Sequence, residues 1–308
     1  MVFLGSVTGA NSAAFDLEKD TRSLQGKTIL ITGGESGIGK QTICYLALLD
    51  PSEIWLAAKN IDNANIAIAD IQRRAPKARL RTIQIDLTSF ASIKAAAGTL
   101  LAQIEHLDLL FLNAGVMGVA AGLTEDGYEY QFGINHLGHA LLAKLLLPTL
   151  LRTAELGRDV RVIITTSCSH RNAPSGGIDF DTLRTDAKDM QTLKRYAQSK
   201  LGNILFARAL ADEYPQLTVV AIHPGACRTD LFLAVTESSL LDRIIAYFLH
   251  RPVELVAKHH VWATVTQDLE SGEYYEPLGV TGQGSPEAKD RELSLKLWNW
   301  TQHELKDF

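Results

Sequence analysis

Tyr196 and Lys200 stand four residues apart in Arg195-Tyr196-Ala197-Gln198-Ser199-Lys200, within a stretch that predicts a helix over Leu193 to Glu213. Residues four apart on a helix share a face, so phenol and ammonium point into the same space. A neighbouring cation favours the ionised form of an acid and can lower its pKa by roughly 1 to 3 units. From the ordinary phenol value of about 10, that brings Tyr196 toward useful proton-transfer strength at neutral pH. A Tyr-x-x-x-Lys spacing also arises by chance on helices, so the chemistry needs company.

The glycine-rich turn upstream supplies it. Lys27-Thr28-Ile29-Leu30-Ile31-Thr32 is a short, apolar, β-branched run that reads as a buried strand. It enters Gly33-Gly34-Glu35-Ser36-Gly37-Ile38-Gly39 and then an apolar-periodic segment from Lys40 to Leu49. Such a turn between strand and helix lets backbone amides approach a pyrophosphate at the positive helix N-terminus.

The rest of the chain must position these groups. Glu53 to Ala58, Leu80 to Ile85, Leu107 to Asn113, Val160 to Thr166 and Leu217 to His223 read as further strands. Helices are expected over Ile61 to Ala75, Ser89 to Glu105, Asp126 to Leu151 and Leu193 to Glu213. Alternation of this kind implies right-handed crossovers and a parallel sheet, whose continuous apolar strands are covered on both faces. The expected fold class is α/β, a doubly wound parallel sheet with helices on both faces in a single domain. That domain spans 26–308, after an N-terminal extension of residues 1–25 and with a helical tail over about 286–306.

Ligands of such sheets bind at the carboxyl ends of the strands. Those ends carry the glycine turn, Lys59, Asp86, Asn113-Ala114-Gly115, Ser167 and Pro224-Gly225. For Asp86, before Leu87-Thr88-Ser89, capping of the next helix is a serious rival reading.

Composition narrows the function classes. The chain has 308 residues, 46% of them apolar and 21% charged, which suits a globular protein with a sizeable core. A net charge of −5 without a basic block argues against nucleic acid as a partner. Cys44, Cys168 and Cys227 have no metal-ligand spacing and are too few for a disulfide framework, so free thiols in the cytoplasm are expected. His170, His259 and His260 likewise show no ligand spacing, and no metal is expected. Ala140 to Leu151 contains Lys144 and Pro148 and is too short to span a bilayer, so no transmembrane segment is expected. Leu240 to Leu249 is amphipathic and suits either a membrane surface or the chain's own core.

In combination these motifs resemble the short-chain dehydrogenase/reductase family over about residues 26 to 235. The glycine motif is Thr32-Gly33-Gly34-Glu35-Ser36-Gly37-Ile38-Gly39; Asp86 with Leu87 resembles the adenine-contacting position, and Asn113-Ala114-Gly115 the motif closing the fourth strand. Phe132-Gly133-Ile134-Asn135-His136-Leu137-Gly138-His139 and Ser199-Lys200-Leu201-Gly202-Asn203-Ile204-Leu205 look most like the retinol-dehydrogenase-like branch. Gly272-Glu273-Tyr274-Tyr275 and Trp298-Asn299-Trp300 resemble its fungal members.

The resemblance implies a Rossmann fold and a catalytic tetrad of Asn135, Ser167, Tyr196 and Lys200. Tyr196 would exchange a proton with a carbonyl or alcohol oxygen, and Ser167 would orient that oxygen. Lys200 would lower the phenol pKa and hold the nicotinamide ribose, and Asn135 would bind a relay water. Ser169 competes with Ser167, although the alignment of Arg161-Val162-Ile163-Ile164 favours Ser167. The dinucleotide would touch Gly33, Glu35, Ser36, Gly37, Ile38, Gly39, Lys59, Asn60, Asp86, Leu87, Asn113, Ala114, Gly115, Tyr196, Lys200, Pro224, Gly225 and Thr229.

Lys59 at the end of the second strand favours NADP(H) over NAD(H), because a cation there can pair with a 2′-phosphate. Lys59 also reads as a solvated loop lysine, and Glu35 would work against the phosphate. Residues 226–251, with Leu231, Phe232, Leu240, Leu241, Ile244, Ile245 and Phe248, form an expected lid over an apolar or polycyclic small-molecule substrate, or else pack on the domain. The helices over Asp126 to Leu151 and Leu193 to Glu213 would pair two copies into a homodimer, as they often do in the family. Two other readings stay open. One is a cyclisation or dehydration enzyme of secondary metabolism on the same fold, the other a dinucleotide-binding regulator without turnover.

Overall fold

The computed structural model describes residues 15–225 and 251–308. Six strands follow from the apolar runs: β1 (Thr28–Thr32), β2 (Glu53–Ala58), β3 (Leu80–Gln84), β4 (Leu109–Leu112), β5 (Arg161–Thr165) and β6 (Thr218–Ile222). A two-residue β7 (Tyr274–Tyr275) completes one sheet in the order β3-β2-β1-β4-β5-β6-β7, with every pairing parallel. Every residue of β1, β4 and β5 is buried, as a sheet covered on both faces requires.

Helices α1 (Gly37–Leu46), α2 (Ile61–Gln72), α3 (Phe90–Leu101), α4 (Gly138–Glu155), α5 (Thr192–Glu213), α6 (Val253–Val265) and α7 (Arg291–Glu304) cover it. Ile43, Leu46, Ala64, Ile71 and Val261 pack into one core with Ile29, Ile31 and Phe111. Ile93, Leu141, Leu146, Ile204 and Leu297 pack into the other with Leu30, Leu110 and Val162. The strand order reverses between β1 and β4, which creates the crevice where such sheets bind ligands.

The long helix expected from Asp126 is corrected. Asp126 lies in a turn, where its carboxylate accepts the Phe90 amide at the start of α3 (2.7 Å). The helical path begins at Tyr130–Phe132, widens into a π-helical Gly133–Leu137, and only then becomes α4. Gly138 donates its N–H to Gly133 O, the five-residue step that defines a π turn. The widened turn is pressed against its neighbours at its two glycines. A Cβ at Gly133 would sit 2.4 Å from Thr124 Cγ2, and one at Gly138 2.8 Å from Leu87 O.

The face expected to serve dimerisation is partly covered by the chain itself, with Lys144 and Leu147 left half-buried. Ala140, Leu141 and Ala143 are buried. Lys144 Nζ donates to Leu305 O (2.6 Å), and Ser294 Oγ of α7 donates to Leu205 O of α5 (2.8 Å). Trp298 stacks on Phe206. Tyr130–Glu155 is long and apolar enough to cross a bilayer, but most of it is buried against the sheet, as in the core helix of a folded domain.

Candidate functional site

The glycine turn is shaped by close approach rather than by composition alone. Gly33 has φ +68° and Gly37 φ +49°, the left-handed region that glycine tolerates. A Cβ at Gly39 would lie 2.2 Å from Gly33 O and 2.7 Å from Asn113 Nδ2. Ser36 stands at the N-cap of α1 with its side chain exposed, and Ile38 lies in the first helical turn. Among the described residues no side chain caps this helix and no acid lies in its first turn, so its amides remain available to an anion. Glu35 is half-buried, its Oε2 has no partner among the described residues, and desolvation raises its pKa.

Thr32 and Asn113 tie the two strands of the crevice together. Asn113 Nδ2 donates to Thr32 O (2.9 Å), and the Asn113 and Ala114 amides both donate to Thr32 Oγ1 (2.9 and 3.0 Å). Lys59 pairs with Asp86 (2.8 Å), which lifts the lysine pKa, and its side chain keeps 66% of its surface exposed. Asp86 Oδ1 accepts from Thr88 N and Oγ1 (2.9 and 2.7 Å), a local turn that leaves the capping of α3 to Asp126. Asn60 caps α2 by accepting from the Asp62 and Asn63 amides (2.9 and 3.0 Å). Leu87 is buried beside the π turn. Pro224 and Gly225, the latter at φ +103°, follow β6. Thr229, Cys227 and 226–250 of the expected lid lie outside the described residues, as do residues 1–14.

Tyr196 and Lys200 lie on one face of α5, both buried. The Tyr196 phenol hydrogen-bonds Ser167, which pulls its pKa down, but burial outweighs this and holds it well above the ordinary value. The expectation that Lys200 brings the phenol toward neutrality is therefore corrected. Lys200 Nζ sits 5.7 Å from the Tyr196 ring centroid and donates to Thr165 O (3.2 Å). Burial lowers its own pKa to about 8. Both charged forms are penalised by the same desolvation.

Ser167 rather than Ser169 meets the phenol. Ser167 sits just beyond β5 in extended conformation, and its Oγ accepts the Ser169 amide (3.1 Å). Asn135 lies inside the π turn. Its Nδ2 donates to Val116 O and Ser199 Oγ (both 2.9 Å), and its Oδ1 accepts the Val116 amide (2.8 Å). A Cβ on Gly115 would sit 3.0 Å from Asn135 Oδ1 and 3.4 Å from Lys200 Nζ, so both groups flank the same point. Asn135, Lys200, Tyr196 and Ser167 therefore converge at the carboxyl edge of β4 and β5.

Sequence reasoning missed several supports. Ser199 Oγ donates to Tyr196 O (2.7 Å), Thr166 Oγ1 to Lys200 O (2.6 Å), and Asn203 Nδ2 to Thr165 O (3.1 Å). The signal for Ser199 was present, since it lies between Tyr196 and Lys200 on α5. Among the described residues no group of three or more His, Cys, Asp or Glu gathers around a metal-sized space.

The lowered Lys200 pKa has a thermodynamic consequence. Its folded value, about 8, lies below the ordinary 10.5, so the unfolded chain binds the extra proton between those values. Stability contributed by this group is lowest below pH 8 and rises as pH climbs from about 8 to 10.5, by about 3 kcal/mol in all. Lys200→Met is expected to be more stable than wild type at pH 7 and to lose most of that excess by pH 10. Urea unfolding of both proteins at the two pH values checks this, and an advantage independent of pH would contradict it.

Similarity to known proteins follows the same lines. The family description "short chain dehydrogenase" matches residues 27–178. Human retinol dehydrogenase 13 is 36% identical over 285 residues, covering 90% of this chain and 83% of that protein. The short-chain dehydrogenase/reductase drtF of Aspergillus calidoustus is 34% identical over 301 residues, covering 92% and 95%. A solved structure from Mycobacterium paratuberculosis shares 25% identity at a TM-score of 0.73, covering 96% and 98%. At 20% identity the fold is shared with a Shigella flexneri short-chain dehydrogenase bound to NADP (TM-score 0.63, 83% and 98% covered). It is also shared, at 20% identity, with a Brucella melitensis 3-ketoacyl-(acyl-carrier-protein) reductase bound to NADH (TM-score 0.62, 82% and 96% covered). With a parallel seven-stranded sheet, a glycine turn at its switch point and this degree of kinship, the chain belongs to the short-chain dehydrogenase/reductase family of oxidoreductases.

Proposed function

We propose that the chain is an NADP(H)-dependent oxidoreductase acting between the carbonyl and alcohol forms of an apolar or polycyclic small molecule in the cytoplasm, with Tyr196 as general acid/base. The observation that carries this reading is the buried Tyr196 phenol, hydrogen-bonded to Ser167 and flanked by Lys200. A dinucleotide fits the residues present: the tight Gly33–Gly39 contact leaves room for a backbone approach, and α1 offers free amides to a pyrophosphate.

Gly33, Ser36, Gly37, Ile38 and Gly39 would hold the pyrophosphate, Asp86 and Leu87 the adenine, and Ala114, Gly115 and Lys200 the nicotinamide half. Asn113 would serve through its backbone carbonyl, since its side-chain amide and its backbone N–H are both bonded to Thr32. When bound, the nicotinamide supplies or accepts the hydride. Tyr196 keeps its proton at neutral pH because burial disfavours the phenolate, so it is set to give that proton to a carbonyl oxygen. Ser167 Oγ orients the same oxygen and steadies the developing alkoxide. Lys200 and Asn135, on either side of Gly115, form the inner end of a path that returns a proton to Tyr196. The apolar substrate class rests on the sequence of 226–251. Following absorbance at 340 nm with NADPH and a panel of ketones and aldehydes tests the proposal, and a protein that binds NADPH but consumes none would overturn it.

The preference for NADP(H) rests on Lys59, whose exposed ammonium is already shared with Asp86. Lys59→Asp removes a cation and leaves two carboxylates side by side, which repels a 2′-phosphate but not a bare ribose. Because the lysine is largely exposed, the effect is discounted to about tenfold in the NADPH/NADH ratio of kcat/KM. An unchanged ratio would place the phosphate elsewhere.

A further inference from the structure

Thr32 and His139 are 107 residues apart, and no step assigned above uses either side chain. Both are fully buried, and His139 Nε2 lies 2.9 Å from Thr32 Oγ1 while Nδ1 lies 3.0 Å from Asn135 O. Counting donors fixes the arrangement. Asn135 O can only accept, so Nδ1 carries the ring proton. Thr32 Oγ1, whose lone pairs accept the Asn113 and Ala114 amides, turns its hydroxyl to the imidazole at 2.9 Å in preference to Phe111 O at 3.3 Å. Nε2 is then the acceptor, and Nδ1–H donates to the Asn135 carbonyl. Burial keeps the ring neutral, with its pKa lowered to about 4. One unbroken chain of hydrogen bonds thus runs from the Asn113-Ala114 backbone through Thr32 and His139 to the π turn.

We infer that His139 is a positioning residue that fastens the π turn carrying Asn135 to the crevice end of β1, so that the dinucleotide turn and the proton-transfer groups share one geometry. The inference rests on the oxidoreductase reading of the site. A π turn departs from the four-residue hydrogen-bond ladder on either side and is frequent at functional sites. Here the carbonyl of its central residue is held by a side chain anchored outside the helix. Displacement of a catalytic constellation by about 1 Å can cost on the order of a hundredfold in rate.

Three substitutions separate the two ends of the bridge. His139→Phe keeps the ring shape and removes both hydrogen bonds. His139→Asn places an amide donor near the Nδ1 position, and His139→Gln places an amide near Nε2. For His139→Phe, kcat is expected to fall by about ten- to a hundredfold and the NADPH dissociation constant to rise several-fold. Asn at 139 should recover most of kcat with weak NADPH binding, and Gln the reverse. Hydrogen–deuterium exchange of the protein without substrate gives a readout independent of turnover. In the Phe variant, segments 109–118 and 133–140 should both exchange faster; Gln should protect the first again and Asn the second. Equal losses in all three variants, in step with their thermal midpoints, would overturn the inference in favour of simple packing. So would an unchanged kcat and exchange pattern in the Phe variant. If wild type shows no turnover on any carbonyl while the exchange pattern splits as described, the oxidoreductase reading fails and the role of His139 stands.

Discussion

Tyr196→Phe is expected to lose carbonyl reduction by about a hundred- to ten-thousandfold, the range spanned by removal of a general acid. The substitution deletes one buried oxygen and keeps the ring that lies 5.7 Å from Lys200 Nζ. Ser167 Oγ keeps the Ser169 amide as a donor and, being half-buried, can turn its hydroxyl proton to solvent, so the loss of the phenol costs little there. NADPH affinity and thermal stability should therefore stay close to wild type. Steady-state kinetics beside a fluorescence titration of NADPH separates the two quantities. A kcat within a few-fold of wild type would remove Tyr196 from the mechanism.

Gly39→Ala should be the most damaging single methyl in the dinucleotide turn. The new carbon would meet Gly33 O at 2.2 Å and the Gly33 carbonyl carbon at 2.9 Å, contacts that backbone cannot tolerate. The turn has little room to retreat, because the Gly33 amide donates to Ala57 O (2.8 Å) and Asn113 Nδ2 holds Thr32 O from the other side. Overpacking of this kind costs about 1 to 3 kcal/mol, and the opened turn should weaken dinucleotide binding more than tenfold. Gly98→Ala is the matched control. Gly98 lies within α3 with nothing within 4 Å of its absent Cβ, so alanine there should stabilise by about 0.5 to 1 kcal/mol. Chemical denaturation of the two variants side by side gives the comparison, and a Gly39→Ala protein as stable as Gly98→Ala would contradict the packing argument.

The sheet was legible because its information is local. Runs such as Thr28–Thr32 and Arg161–Thr165 are short, β-branched and bounded by turns, and each forms a strand within a residue or two of its expected limits. Tyr196 and Lys200 were legible for the same reason, as helical spacing alone puts them on one face. The π turn at Gly133–Leu137 left no such trace, since apolar periodicity does not distinguish a four-residue from a five-residue hydrogen bond over a single turn. Lys59 could be placed at the end of β2, but its pairing with Asp86 depends on how two strands align. The balance at Tyr196 was misjudged because sequence spacing reports proximity and not desolvation. His139 escaped notice because one partner, Thr32, lies 107 residues away and the other, Asn135, is met through its main-chain carbonyl, which no side-chain pattern reveals.

The late position of α7 orders events during synthesis. His136, in the π turn, hydrogen-bonds Thr301 (3.2 Å) across 165 residues of chain. Ile222 closes the last long strand roughly eighty residues earlier, which at about 5 to 20 residues per second leaves an interval of roughly 4 to 16 s. Until Tyr274 and Tyr275 arrive β6 is an open apolar edge, and until Trp298 arrives the flank of α5 that it covers faces water. A nascent chain of this protein is thus most vulnerable to sticking to its neighbours after its sheet has formed, and a ribosome-associated chaperone would find its binding surface on α5 and β6.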